Sequence, residues 1–522
     1  MSQGMDLFWK IAMLVVFFGL MIFIGLYSRR HATDVNGFVL GGRSVGPWLT
    51  AFAYGTSYFS AVIFVGYAGQ FGWKFGVAST WVGIGNAVIG SLLAWAVLGR
   101  RTRIMTQFFD SATMPQFFGQ RFQSKGLKIG ASVIVFIFLI PYTASLFNGL
   151  SRLFGMAFHI DYTVCIILMG VLTGVYVIAG GYMATAINDF IQGIVMLFGI
   201  VVIIAAVLHS QGGFMESLKG LAQVSDPETV NGEVPGIFAS FFGPDPLNLL
   251  GVVILTSLGT WGLPQMVQKF YAIKSEDSVQ KGTIISTLFA VVVAGGCYFL
   301  GGFGRLFSDK VNLEEGFDSI IPTMLSGLPD ILIALTVVLV LSASMSTLSS
   351  LVIASSSTLT IDLLKDNIIK DMGERKTVRI IRCFIVVFVV LSMIIAVIQY
   401  KAQGSAVRFI AQLMGVSWGA LAGAFLAPFL YGLYWKKTTK AACWTCYIFG
   451  AGIMVLNLLF RAHFPALLQS PINCGAFAML AGLVIVPVVS VFTKKPDTAM
   501  VEEAFACYEK KAPVAQRKAL SD

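Results

Sequence analysis

The chain has 522 residues, of which 57% are hydrophobic and only 12% are charged, and its formal net charge is +10. Soluble globular proteins are typically about 25% charged, so this composition excludes an ordinary soluble domain. Apolar runs long enough to cross roughly 30 Å of hydrocarbon recur along nearly the whole length. They predict an all-α polytopic membrane protein whose surroundings are a lipid bilayer.

About thirteen spans are predicted in chain order. They cover residues 7–28, 46–71, 76–99, 129–158, 162–181, 185–209, 246–271, 281–306, 329–363, 379–400, 407–435, 440–461 and 472–493. Residues 1–494 would form one membrane domain, followed by a cytoplasmic tail over 495–522. Cytoplasmic loops carry an excess of Lys and Arg, and an outside N-terminus places 27 of the 36 basic residues on the inner side. The net charge is thus a topology signal, and no basic soluble face points to nucleic acid.

Two of the spans are interrupted near their middles. The second contains Gly55-Thr56-Ser57, and the seventh contains Gly259, Gly262 and Pro264. A pair of interrupted segments at matching places in two halves points to a transporter binding site. The halves would be 46–209 and 246–435. The alternative is a harmless kink in each span, since Gly and Pro are common in membrane helices.

The ninth span carries eleven hydroxyl residues between positions 341 and 360. At roughly 100° per residue, Ser342, Ser346, Ser349 and Ser350 fall on one side, with Thr347 beside them. A stripe of oxygens at membrane depth suits a weakly hydrated cation. The alternative is helix packing, because membrane Ser and Thr often bond to carbonyls or neighbouring helices. We expect ligation for Ser346 and Thr347 and packing from Ser355 onward.

Titratable residues narrow the chemistry. All acidic residues except Asp189 fall in loops or at helix ends, so Asp189 is expected to be the one charge at membrane depth and to couple an ion. The alternative is a carboxylate favoured by a helix N-terminus.

The four histidines lie at loops or span ends, so a histidine–carboxylate–serine site and an enzyme are not expected. A phosphate-binding loop is also missing, which favours an ion gradient as the energy source. Loop 210–245 could carry a short helix that acts as a lid.

Four motifs together resemble one known family. They are Val39 to Pro47, Gly180 to Ala184 followed by Asp189, Ser344 to Ser349, and Ser417 to Phe425. In their order and spacing the chain resembles the sodium:solute symporter family, and most closely its bacterial sodium/proline symporter branch. The resemblance implies a LeuT-type inverted five-helix repeat, with one extra helix before it and two after, and Na⁺ as the coupling ion.

The resemblance also implies site residues. The sodium site would use the carbonyls of Thr56, Phe59 and Ala343 and the hydroxyls of Ser346 and Thr347. A second sodium or coupling site would involve Asp189, Ser349 and Ser350. The solute contacts would be Ser57, Tyr58, Tyr142, Thr256, Thr260, Trp261 and Pro264.

These residues predict a sodium-coupled symporter that imports a small organic solute, an amino acid such as proline, by alternating access. The proline branch carries an aspartate in place of Tyr58 and aromatic residues in place of Thr256 and Thr260. Another amino acid, a monocarboxylate or another small solute therefore stays open. So do a proton-coupled carrier that uses Asp189 and a transporter-like sensor. The sequence does not distinguish one sodium ion per cycle from two.

Overall fold

The computed structural model describes residues 2–29, 32–158, 161–313, 316–365, 368–369, 372–401 and 410–509, with the side chains of all of these except 2–10, 58, 401, 410 and 411. Over these ranges the fold is helical, and its one described strand pairing is an isolated parallel bridge between Val45 and Ile273. The α-helices are α1 Ser2–Ser28, α2 Val35–Leu40, α3 Pro47–Tyr58, α4 Ala68–Phe75, α5 Thr80–Gly85, α6 Arg100–Phe108, α7 Met114–Arg121, α8 Lys125–Phe158, α9 Tyr162–Ser210, α10 Phe214–Ala222, α11 Pro246–Gly262, α12 Pro264–Ala272, α13 Glu276–Gly301, α14 Ile320–Leu325, α15 Asp330–Ser357, α16 Glu374–Lys401, α17 Ile410–Tyr434, α18 Lys440–Phe460, α19 Pro471–Phe492 and α20 Thr498–Ala506.

The predicted all-α membrane architecture is confirmed. Among the described residues, ten helices are long and apolar enough to cross a membrane, or eleven when the bent pair α11 and α12 is one span. Two of these, Val62–Phe108 and Tyr162–Ser210, have 47 and 49 residues. Each is more than twice the length needed to cross about 30 Å of hydrocarbon, and each covers all or part of two predicted spans. Glycines with positive φ, Gly76 (61°) and Gly181 (57°), bend the chain within them.

The helix α15, which carries the hydroxyl stripe, lies at the centre of the molecule. It packs against α3, α8, α9, α12 and α16, and every residue from Leu339 to Ser357 is buried. Buried serine and threonine side chains need hydrogen-bond partners, so this helix must find them on its neighbours or on its own backbone. A second group of helices, α8, α11, α18 and α19, surrounds α17.

Loop 210–245 contains the short helix that the sequence predicted, α10 at Phe214–Ala222. Arg305 holds the loop, because its Nη1 lies 2.9 Å from Asp226 Oδ2 and its Nη2 donates to Thr229 Oγ1 at 2.8 Å. Burial alone would raise the pKa of Asp226, but hydrogen bonds from Thr229, the Glu228 amide and Arg305 lower it below its ordinary value. The loop is therefore tied to the helical body by an ion pair.

Candidate functional site

Helix α3 ends in the middle of its predicted span. Phe59 is extended (φ −85°, ψ 118°), and the chain becomes helical again with a π-helix at Val62–Tyr67. Ser60 starts this second part, because its Oγ accepts from the Val62 amide at 3.2 Å, as an N-cap does. The break leaves carbonyl groups around Thr56 and Phe59 without their usual helical partners. Sequence reasoning placed the interruption correctly but did not single out Ser60.

Thr347 on α15 faces these carbonyls. Its Oγ1 lies 3.2 Å from Thr56 O, 3.2 Å from Phe59 O and 3.1 Å from Ala343 O. Ser346 Oγ donates to Thr56 Oγ1 at 2.7 Å. The structure therefore brings together all five residues predicted for the sodium site. The Ser344 Oγ accepts from the Ala61 amide at 3.1 Å and joins the two helices at the same level.

This arrangement has more acceptors than donors. A threonine hydroxyl carries a single proton, so Thr347 cannot satisfy three carbonyl oxygens at once. Thr56, Phe59, Ser346 and Thr347 are at most 1% exposed, which keeps most water away. An excess of oxygen dipoles in a poorly hydrated site favours a cation, and free carbonyls at an unwound membrane helix can coordinate Na⁺.

A second polar cluster lies beside the first. The carboxylate of Asp189 is 3.9 Å from Lys269 Nζ, and both side chains are at most 2% exposed. Lys269 Nζ donates to Ser350 Oγ at 3.0 Å, and Ser350 Oγ is 2.8 Å from Ser57 Oγ. Ser349 donates to Ser346 O within α15 at 2.9 Å. The residues of the predicted second site are thus brought together, but with a lysine among them.

The expectation that Asp189 is the only charge at membrane depth is therefore wrong. Lys269 lies on α12, five residues after Pro264, and is buried. The sequence analysis missed it because it compared only the acidic residues with the predicted spans. A buried ammonium is rare without a partner, so a lysine inside the predicted span 246–271 was a signal that a buried counter-charge exists somewhere in the fold.

The seventh predicted span is broken at Leu263, between α11 and α12, and the two helices meet at a bend of 46°. Leu263 is extended (φ −85°, ψ 122°), almost the same conformation as Phe59. Pro264 begins α12, where its missing N–H costs nothing. The two predicted interruptions are thus real breaks with matching backbone geometry.

The predicted solute contacts do not all point to one place. Thr260 Oγ1 lies 3.1 Å from Gly90 O, and Trp261 Nε1 donates to Ile89 O at 2.9 Å. Thr256 bonds within its own helix, to Val252 O. Tyr142 instead lies edge-to-face with Trp418 of α17, with ring centroids 5.9 Å apart. The side chain of Tyr58 is outside the described residues.

Tyr142 lies at a junction of three helices that the sequence only partly predicted. Its side chain is fully buried and lies beside Ser60 at the first break. Trp418 also contacts Gly259 of α11, because a Cβ added there would be 2.9 Å from the indole. Trp418 was part of a motif, Ser417 to Phe425, but was not singled out. It joins α8, α11 and α17 around the first break.

A cavity of about 640 Å³ opens at the end of the molecule that carries loop 210–245. Charges of both signs line it, with Lys74, Arg305 and Arg461 opposed by Asp226, Glu228 and Asp245. At the opposite end of α3, Arg43 donates to Ser111 O at 2.7 Å and to Tyr271 O at 3.3 Å. At the same end, backbone hydrogen bonds join Val45 to Ala272 and Lys274. The cavity thus opens on the loop side, and hydrogen bonds tie the helices together at the other end of α3.

Comparisons with known proteins identify the family. The model of the sodium:solute symporter family matches residues 38–450, most of the chain. The chain belongs to the sodium:solute symporter family. Sodium-coupled solute symport is accordingly its activity class, and it is a transporter rather than an enzyme.

Individual relatives agree with this. The sodium/proline symporters of Staphylococcus aureus strains JH9 and NCTC 8325 are both 28% identical to the chain over 519 residues, which is 96% of this chain and 96% of theirs. A solved Na⁺-coupled sialic acid symporter in a substrate-bound outward-open state aligns with a TM-score of 0.70 at 16% identity, over 94% of this chain and 99% of that one. The nucleobase-cation symporter Mhp1 aligns with a TM-score of 0.52 at 15% identity, over 90% and 97%. At these identities the solved structures establish the fold, and they confirm the predicted LeuT-type core.

Proposed function

We propose that this symporter imports a small organic solute, an amino acid such as proline, and that Na⁺ binds where α15 meets the break in α3. The observation that carries the sodium position is the contact of the single Thr347 hydroxyl with three backbone carbonyls. The carbonyls of Thr56, Phe59 and Ala343 and the hydroxyls of Ser346 and Thr347 would supply five oxygens. Na⁺ arrives with the solute as a transported ion.

Bound Na⁺ would hold α3 against α15. An ion can shift a conformational equilibrium only through different affinities for the two states, and ligands on two separate helices give such a difference when the helices move apart. Na⁺ would then stabilise the state accessible from the loop side and support the solute pocket near Tyr142. Its release at the other end, where Arg43 ties the helices together, would follow opening of that end.

The driving force is sufficient for nutrient uptake. Moving one charge across 100 mV is worth roughly 2.3 kcal/mol, and a tenfold sodium gradient adds about 1.4 kcal/mol. Together they would sustain an accumulation of about several hundredfold. We further propose that the N-terminus is outside and the C-terminus cytoplasmic, as the distribution of basic residues indicates.

The choice of an amino acid rests on the curated relatives named above, which are sodium/proline symporters. Thr256 and Thr260 replace the aromatic residues of the proline branch, so a different amino acid is the nearest alternative. Tyr58 stands where that branch has an aspartate, which supports the same alternative.

The test is a thermal-shift screen of the purified protein against amino acids and monocarboxylates, in sodium chloride and in choline chloride of equal ionic strength. We expect one or a few amino acids to raise the melting temperature in sodium only. Stabilisation by monocarboxylates alone would overturn the amino-acid assignment. Equal stabilisation in choline, together with uptake driven by a pH gradient in sodium-free proteoliposomes, would overturn sodium coupling.

A further inference from the structure

We propose that the ammonium of Lys269 is a resident cation that occupies the second cation position of this carrier, so that a single Na⁺, bound at Thr347, is coupled to each solute. The proposal rests on the proposed function, because it takes the Thr347 position as the sodium site. It concerns the number of sodium ions transported with each solute, which membership of the family does not fix for this chain.

The position is defined by the contacts of the lysine. Nζ is 3.0 Å from Ser350 Oγ and 3.9 Å from Asp189 Oδ2, and it lies over the Tyr182 ring, 5.0 Å from its centroid. A second Na⁺ would have to use the same carboxylate and the same serine oxygen. The ammonium therefore already takes two of the three side chains that the sequence pointed to for a second ion.

The third side chain, Ser349, is a poor ligand for a second Na⁺ because its hydroxyl is already engaged. Ser349 Oγ is engaged with Ser346 O of its own helix at 2.9 Å. The other neighbour of Ser350 is Ser57, whose hydroxyl is 2.8 Å away and also bonds to Ala53 O within α3. The serine hydroxyls of this cluster are thus engaged with one another, with backbone carbonyls and with Lys269.

The charge balance of the cluster also argues against a second Na⁺. One buried carboxylate can neutralise one cation, and Asp189 and Lys269 do so for each other in a region that excludes water. A Na⁺ placed on Asp189 would lie within a few ångströms of the ammonium, where two like charges repel strongly because little water screens them. Net neutrality is kept when the ammonium alone occupies the cluster.

The chain offers another interpretation of this pair, as a structural tie between α9, α12 and α15. A tie and a resident cation differ in what happens when the lysine charge is removed. If Lys269 is a resident cation, removing its charge leaves the carboxylate of Asp189 and the oxygens of Ser349 and Ser350 free to bind a small cation in its place. The number of bound sodium ions therefore separates the two interpretations.

The experiment counts ²²Na⁺ bound to the purified full-length protein, with choline chloride keeping the ionic strength constant and no solute added. We expect about one ion per chain for the wild type and about two for Lys269→Met, with the added ion lost again in Lys269→Met/Asp189→Asn. Lys269→Arg keeps the charge and should bind one. Lys281→Met removes an exposed lysine of α13, which pairs with Asp277 at 2.9 Å, and serves as the matched control with one ion.

Two ions on the wild type, or one ion on a folded Lys269→Met, would overturn the proposal. If Lys269→Met does not fold, the wild-type count decides alone, one ion supporting the proposal and two rejecting it. A wild type that binds no sodium contradicts the proposed function itself, and is thereby distinct from failure of the inference. Loss of the single ion in Thr347→Ala places it at the first site.

Discussion

The two broken helices share a backbone conformation but differ in what faces them. Phe59 and Leu263 have nearly the same φ and ψ, yet the first break is met by hydroxyls of α15. The second is met by backbone of α17, because a Cβ on Gly262 would lie 2.8 Å from Ala422 Cα and 2.9 Å from Leu426 N. A break in a membrane helix thus creates free polar groups, but the neighbouring helix decides whether they become an ion site or a packing contact.

The largest expected effect comes from the charge pair that follows the second break. Asp189→Asn leaves the Lys269 ammonium buried without its counter-charge, and breaking such a pair typically costs about 3–5 kcal/mol of stability. We expect a large drop in the melting temperature of the purified protein. Asp189→Asn/Lys269→Met should recover most of it, since no unpaired charge remains. Equal melting temperatures for wild type and Asp189→Asn would contradict the buried pair.

Close packing at the second break predicts the next effect. Gly262→Ala places a methyl group against backbone atoms of α17 that cannot rotate away, and overpacking of this kind costs about 1–3 kcal/mol. Thermal unfolding measures the loss. Gly295→Ala on α13 is the control, because a Cβ there meets no atom within 4 Å. An unchanged Gly262→Ala protein would mean that α11 and α17 are not in contact at this level.

At the first break the expected effect is on sodium rather than on folding. Thr347→Ala removes one proposed ligand, and a loss of about 1.4 kcal/mol raises the sodium concentration for half-maximal uptake about tenfold. Ser357→Ala is the control on the same helix, because its hydroxyl bonds to Ile353 O at 2.6 Å. If sodium dependence in both variants matches the wild type, the sodium position is wrong.

The smallest effect lies away from both breaks, at loop 210–245. The pKa of Asp226 is lowered in the folded protein, so its contribution is present at neutral pH and is lost as the pH falls through that lowered value. A partly exposed ion pair is worth at most about 1 kcal/mol. Asp226→Asn should make the loop slightly more sensitive to protease at pH 7, and the difference from wild type should disappear in acid. A difference that persists in acid would exclude the carboxylate as its cause.

The sequence was sufficient for the architecture and for the two helix breaks. Hydrophobic runs predicted the spans, and glycine, proline and serine positions predicted both interruptions within a few residues. Spacing along a helix placed Ser346 and Thr347 on one side, and the structure brings them to Thr56 and Phe59. The spans and the breaks could be predicted because they depend on local hydrophobicity and on the positions of glycine and proline, whereas the sodium site stays a prediction.

The sequence was insufficient where a residue's role depends on the helix opposite. Lys269 is one polar residue at the end of an apolar span, and nothing local says that Asp189, 80 positions earlier, lies beside it. Trp418 meets Tyr142 only through tertiary packing. Thr260 and Trp261 were expected at the solute, but their hydrogen bonds go to the carbonyls of Gly90 and Ile89.

Three of the five oxygens proposed for sodium are backbone carbonyls, and every amino acid carries one. Substitution of Thr56, Phe59 or Ala343 changes a side chain and leaves the carbonyl in place, as long as the helix stays broken. The proposed solute contacts, such as Tyr142, are side chains and have no such protection. Related carriers with this arrangement could therefore change their solute specificity by single mutations and still be driven by Na⁺.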